Sequence, residues 1–74
     1  MTIAFVLLTS ETGFEVDVLE ALKDLPRVKE AFTVYGAYDI IMRVEADTRK
    51  DLTELISELK RMKKVRSVLT MIVI

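Results

Sequence analysis

The two terminal segments of the chain are apolar at most positions, so that both faces of each segment would be apolar if its backbone were extended. The alternating positions of residues 2–9 and 65–74 give two apolar sets in each segment: Ile3, Phe5 and Leu7 against Ala4, Val6 and Leu8, and Val68, Ile72 and Ile74 against Leu69, Met71 and Val73. Successive side chains of a β-strand point to opposite faces of the sheet. These segments therefore predict strands whose two faces are both covered.

Two further segments have the composition of strands. Residues 28–35 are rich in β-branched and aromatic side chains, residues 39–46 contain Ile40, Ile41 and Val44, and Gly36 lies in the short turn between the two segments. Strand-like runs that are separated by a short turn containing glycine predict a β-hairpin. In the second of these segments Ile40, Met42, Val44 and Ala46 share one face, and Ile41, Arg43 and Glu45 share the other.

Helical spacing appears in the two segments that remain. The apolar residues recur every three or four positions between 12 and 25 and between 48 and 62: Phe14, Val18, Leu22 and Leu25, and then Leu52, Leu55, Ile56, Leu59 and Met62. Thr12 with Glu15 predicts a capping box for the first helix, and Thr48 with Asp51 predicts a weaker one for the second. Pro26 is expected to end the first helix.

The resulting order is βαββαβ. Two right-handed crossover units joined by a hairpin predict an α+β, ferredoxin-like fold, in which a four-stranded antiparallel sheet carries both helices on one face. The 74 residues suffice for a single domain. Because both helices cover the same face, the apolar side chains of the other face require another protein or a ligand. The sequence therefore predicts an oligomer.

Composition excludes several classes of function. The chain has no cysteine and no histidine, which excludes disulfides, zinc sites of the Cys/His type and Ser–His or Cys–His catalytic pairs. We therefore predict neither an enzyme nor a bound cofactor. The formal net charge is −1, whereas nucleic-acid-binding domains are usually basic. We expect a cytoplasmic protein with no signal peptide, no membrane span and no direct sequence-specific binding to DNA.

Two features of composition have more than one interpretation. The chain lacks Asn and Gln and is 31% charged, which is the trend of thermophilic proteins, although chance produces it in short chains. Residues 60–66 contain five bases, namely Lys60, Arg61, Lys63, Lys64 and Arg66. They would complement the dipole at a helix C-terminus or bind an anionic partner, and the lack of interleaved aromatic residues favours the dipole.

The motifs also allow a comparison with a known family. Gly36-Ala37-Tyr38-Asp39 stands between the second and third strands, an apolar strand and an amphipathic helix follow, and Thr70 lies in the last strand. Over its whole length this pattern resembles the ligand-binding domain of the Lrp/AsnC regulators, also called the RAM domain. The helix-turn-helix domain of most members has no counterpart here, so the chain is similar to stand-alone members. Val68 occupies a position that is commonly polar in the family.

The resemblance implies a regulatory module that binds an amino acid, forms dimers and a ring of four dimers, and has a full-length Lrp/AsnC regulator as a partner. It implies a ligand site made of Tyr35, Gly36, Ala37, Tyr38, Asp39 and Thr70. Turn amides would bind the carboxylate of the ligand and Asp39 its ammonium group. From spacing alone, Gly36 is more typical of a plain hairpin turn than of a ligand site, and Asp39 is as typical of a residue that caps a turn as of one that binds a ligand.

Two alternatives remain open from the sequence. The first is an oligomerisation adaptor that binds no ligand. The second is an ACT domain, a different amino-acid-binding module, whose ligand glycine would correspond to Gly13 after the first strand.

Overall fold

A four-stranded sheet in the order β2-β3-β1-β4 organises the chain. The structure is a computed structural model that describes all 74 residues. Its elements are β1 (Thr2–Ser10), α1 (Glu15–Lys23), β2 (Val28–Thr33), β3 (Ile40–Ala46), α2 (Arg49–Lys60) and β4 (Val65–Ile72). All three strand pairs are antiparallel. The predicted ferredoxin-like βαββαβ arrangement is confirmed, with element ends shifted by up to three residues.

The core lies between the sheet and the two helices. In β1 the even-numbered residues face the helices, and their partners in β3 share that face: Val6 pairs with Met42, and Leu8 with Ile40. All four of these side chains are fully buried. The helices contribute Val18, Leu22, Leu52, Leu55 and Leu59 to the same core. One apolar set of β1 is thus covered by the chain itself.

The two helices begin in different ways. At α2 the Thr48 Oγ1 accepts a hydrogen bond from the Asp51 N–H at 3.1 Å, so the predicted cap is present. The Thr12 capping box is wrong, because Phe14 occupies the N-cap of α1 and no side chain caps it. Gly13 adopts a positive φ of 89° and delays the start of the helix.

Both helices end after a few turns. The Asp24 N–H still donates to the Ala21 carbonyl at 3.3 Å, and Pro26 follows two residues later. The residue before a proline disfavours helical backbone, which accounts for this end. With 9 and 12 residues, neither helix has the length needed to cross a membrane.

Candidate functional site

The loop between β2 and β3 contains five of the six predicted ligand-binding residues. It spans residues 34–39 and is closed by a hydrogen bond of 2.8 Å from the Val34 N–H to the Asp39 carbonyl. The backbone N–H groups of the four residues between these two, Tyr35, Gly36, Ala37 and Tyr38, donate to no acceptor in the chain. The loop therefore presents a run of free donors near its exposed tip.

Asp39 is fixed at the base of this loop. Besides the bond to Val34, its N–H donates to the Leu8 carbonyl at 2.9 Å, and its Oδ2 accepts from the Ser10 N–H at 2.9 Å. The other carboxylate oxygen, Oδ1, has no partner in the chain. The carboxylate thus joins the loop to the end of β1, and it keeps one oxygen available to a ligand.

The Ser10 contact could not be read from the sequence. Ser10 lies 29 residues before Asp39, and no motif links the two positions. Its side chain is only 4% exposed, and its Oγ has no hydrogen-bond partner in the chain. Ser10 is therefore a buried polar residue directly behind the loop.

Gly36 and the two tyrosines shape the exterior of the loop. Gly36 has φ = +154°, a backbone conformation that residues with a side chain rarely adopt. A Cβ placed on Gly36 would touch nothing within 4 Å. The glycine is thus required by its backbone angle and not by close packing in this chain. Tyr35 is fully exposed, whereas Tyr38 is half-buried. Open space surrounds the tip of the loop.

Thr70 lies apart from the other predicted residues. It is a half-buried residue in the middle of β4, and its partner in β1 is Val6, so it faces the helix side of the sheet. Asp39 lies two strands away, next to Ile40, which pairs with Leu8. Strand spacings put the two Cα atoms about 14 Å apart. One subunit therefore does not bring Thr70 to the loop.

No cavity of the subunit contains the predicted residues. Four surface grooves are present, and none is lined by residues 35–39 or by Thr70. The largest, of about 340 Å³, lies between the start of β2 and the end of β3. A ligand at the loop would need further walls from outside the subunit.

The helix-free face of the sheet, which we call the open face, is a second candidate surface. Its apolar residues come from all four strands and from the residue just after β4: Ile3, Phe5, Leu7, Leu69, Met71, Val73, Phe32 and Ile41. Phe5 remains 39% exposed, Met71 49% and Phe32 56%. The predicted uncovered apolar face is therefore present.

A charged cluster interrupts the open face. Arg43 on β3 donates from Nε to Glu30 Oε1 at 2.7 Å and from its Nη1 to Glu45. The hydrogen bonds that Arg43 donates to Glu30, and then to Glu45, raise the pKa of Arg43 above its ordinary value. The alternation of β3 predicted the face on which Arg43 and Glu45 lie. Glu30 was missed, since it joins the cluster only through the register between β2 and β3.

The basic run at 60–66 contacts the start of α1. Lys64 lies 3.4 Å from the Glu11 carboxylate, and its ammonium group lies 4.0 Å from the centre of the Phe14 ring. The Glu11 N–H also donates to the Lys64 carbonyl at 2.9 Å. At least one base of the run thus has a structural role between two loops.

Comparison with known proteins gives one family and several structural relatives. A model of the Lrp/AsnC ligand binding domain matches residues 3–74. The crystal structure of FFRP-DM1 is 45% identical, has a TM-score of 0.98 and is covered in full, as is this chain. Hypothetical protein PHS023 from Pyrococcus horikoshii is also 45% identical, with a TM-score of 0.95 and coverage of 100% of this chain and 90% of that one.

Two matches concern longer proteins. The transcriptional regulator NMB0573 from Neisseria meningitidis, solved as a complex with L-Met, shares the fold with a TM-score of 0.85 at 14% identity; 99% of this chain covers 49% of that one. A homocitrate synthase from Sulfurisphaera tokodaii is 37% identical over 57 residues, which are 77% of this chain and 12% of the enzyme. The chain thus spans about an eighth of that curated relative.

Proposed function

The chain belongs to the Lrp/AsnC ligand-binding domain family, and from this premise we propose that it is a regulatory module that binds a free amino acid and assembles with further copies of itself. The family match and the regulatory relatives support a ligand-binding regulatory role over an enzymatic one. The L-Met of the Neisseria regulator belongs to that protein, and it supports an amino acid as the class of effector here.

The observation that carries the proposal is the pairing of free donors with a fixed acceptor in one loop. The unused N–H groups of residues 35–38 suit the carboxylate of a zwitterion, and the unused Oδ1 of Asp39 suits its ammonium group. No base lies in the loop, and its other side chains are Val34, Tyr35, Ala37 and Tyr38. This composition favours a neutral or apolar amino acid over a charged one.

The site is completed between subunits in this proposal. Tyr35 is exposed, Thr70 lies far from the loop within one subunit, and residues 35–39 line no groove. A neighbouring copy would supply the missing walls, including a Thr70. We propose that two copies first pair through their open faces, which buries the exposed apolar residues. Four such dimers would then form a ring in which loops meet neighbouring dimers.

Regulation would follow if ligand stabilises one assembly state over another. The partner proposed is a full-length Lrp/AsnC regulator, and the isolated chain is expected to bind no specific DNA. A second candidate, control of a biosynthetic enzyme, is favoured by the related segment in the homocitrate synthase. Co-purification with a tagged chain separates the two, because one predicts a DNA-binding regulator and the other an enzyme.

Calorimetric titration with the twenty amino acids, of which the neutral ones are expected to bind, tests the site through two variants. Asp39→Asn keeps an oxygen that can accept from the Ser10 N–H and removes only the charge, whereas Asp39→Ala removes both. We expect both variants to bind about 10- to 150-fold more weakly, because a charge-assisted hydrogen bond contributes about 1.5–3 kcal/mol. Only Asp39→Ala should also lower the free energy of unfolding.

The control variant is Asp47→Ala, which removes an exposed carboxylate outside the loop. It should bind like the wild type, and light scattering should show the same assembly in all four proteins. If Asp39→Asn assembles and binds as tightly as the wild type, Asp39 only supports the loop and the proposed pose is wrong. If none of the twenty amino acids binds or raises the melting temperature, the ligand-free adaptor is the better function.

A further inference from the structure

The charged cluster on the open face is the polar exception in an apolar surface. Arg43 lies on the inner strand β3, and both of its carboxylate partners, Glu30 and Glu45, belong to its own subunit. Phe5 is the cross-strand partner of Arg43. A groove of about 80 Å³ beside the cluster is lined by Phe5, Glu30, Phe32, Ile41, Met42 and Arg43. A partner that covers the phenylalanines must also cover the guanidinium group.

We propose that the cluster of Glu30, Arg43 and Glu45 is the partner-selecting element of the open face, which accepts a second copy of this chain and depends on Arg43 to do so. The inference rests on the proposed pairing of open faces, and it adds which residue determines that pairing. Arg43 takes the role of a specificity determinant in an interface otherwise made of aromatic and aliphatic side chains.

The charges of the cluster favour a second copy over other apolar partners. Both ion pairs of Arg43 are formed within the subunit, so Arg43 needs no carboxylate from the partner when the interface covers it. A face with an unpaired acid at this place would add a third carboxylate to one guanidinium group. The surplus negative charge can stay hydrated, because Glu30 lies on the edge strand β2 and is 51% exposed. An identical face therefore brings apolar area and a guanidinium group that is already paired, and the surplus carboxylate charge of each copy lies at the hydrated edge of the sheet.

Arg43 matters because its removal leaves two carboxylates without a cation. Breaking a covered ion pair by deleting one partner is strongly unfavourable, whereas replacing the whole group with uncharged residues is often neutral or favourable. The cluster should therefore behave non-additively. A single substitution at Arg43 should do more damage than a triple substitution that neutralises all three residues.

The experiment measures the dimer dissociation constant by fluorescence-detected sedimentation from nanomolar to micromolar concentration. It compares the wild type with Arg43→Met, with the triple variant Glu30→Gln/Arg43→Met/Glu45→Gln, and with Arg61→Met, an exposed arginine at the end of α2. We expect Arg43→Met to raise the dissociation constant at least about 100-fold. The triple variant should return to within about 10-fold of the wild type, and Arg61→Met should change nothing.

Circular dichroism of each variant separates a loss of pairing from a loss of fold. If Arg43→Met unfolds, the triple variant still decides: it should be folded and dimeric. A wild-type dimer with an Arg43→Met constant equal to that of Arg61→Met overturns the role of the cluster and leaves the dimer standing. Equal losses in the single and triple variants overturn it as well. A monomeric wild type overturns the open-face pairing itself and this inference with it.

Discussion

The two faces of β1 differ little in composition and greatly in environment. Leu8 is completely buried beneath the helices, whereas Leu7, the next residue and the same amino acid, lies half-buried on the open face. Phe5, also on the open face, is 39% exposed. The helices cover one face because both crossovers pack on the same side of the sheet. The apolar pattern thus indicates that both faces of the sheet must be covered, whereas the two helices of one subunit cover only one of them.

Polar groups deepen this contrast. The helix side contains one buried polar residue, Ser10, and its Oγ has no hydrogen-bond partner. In the charged cluster of the open face, both carboxylates, Glu30 and Glu45, form ion pairs with Arg43. Unpaired polar groups cost free energy wherever they are buried. Because its carboxylates and guanidinium group are already paired, the charged cluster of the open face would cost less free energy to bury than unpaired charges would.

The largest expected effect comes from replacing, one at a time, two adjacent leucines on opposite faces of β1 with alanine. Leu8→Ala should lower the free energy of unfolding by about 2–5 kcal/mol, because it leaves a cavity in the core. The loss should be the same at every protein concentration. Leu7→Ala, the matched variant on the open face, should lose less, and under conditions that keep the chain monomeric its loss should shrink to the part that its half-burial within one subunit accounts for. Chemical denaturation over a hundredfold range of concentration makes the comparison.

The next effect concerns the open face alone. Phe5→Ala should weaken pairing of two subunits by about 1–2 kcal/mol per dimer, because pairing covers only the 39% of each Phe5 that one subunit leaves exposed, and full burial contributes about 1.5–3 kcal/mol. Sedimentation measures this loss, and Val16→Ala, an exposed position on α1, is the control. A Phe5→Ala chain that pairs as tightly as the wild type would mean that another surface forms the dimer.

Much of the fold followed from local patterns. The parity of apolar residues in β1 and β3 separated the two faces, and the helical spacing placed both helices. The start of α1 did not follow, although Thr12 and Thr48 have similar sequence contexts. Thr48 caps its helix, whereas the positive φ of Gly13 moves the chain so that Phe14 becomes the N-cap. The φ angle of Gly13 depends on the three-dimensional fold, and the spacing of residues in a capping-box pattern does not predict it.

The candidate site was harder to predict, for a physical reason. The sequence located the loop and its motif, but the role of Asp39 depends on the Ser10 N–H, which the fold brings from another strand. In the same way the Arg43 cluster needs the β2–β3 register to bring in Glu30. Thr70 was grouped with the loop by resemblance, and within one subunit it lies on a different part of the sheet. Contacts between distant strands are set by register, which a single sequence states only weakly.

The smallest expected effect tests the single polar exception on the helix side. Ser10→Ala removes a hydroxyl that is buried without a partner, and it keeps the backbone N–H that donates to Asp39. Burying an unsatisfied hydroxyl costs about 1–3 kcal/mol, and alanine sacrifices little packing, so the free energy of unfolding should rise by about 1 kcal/mol. The control is Ser67→Ala, whose Oγ lies 2.6 Å from Thr9 Oγ1; losing that bond should leave stability unchanged or lower it slightly. Urea denaturation resolves both. A decrease on Ser10→Ala would show that the hydroxyl is satisfied in solution, and the contrast between an unpaired polar group under the helices and fully paired charges on the open face would then be lost.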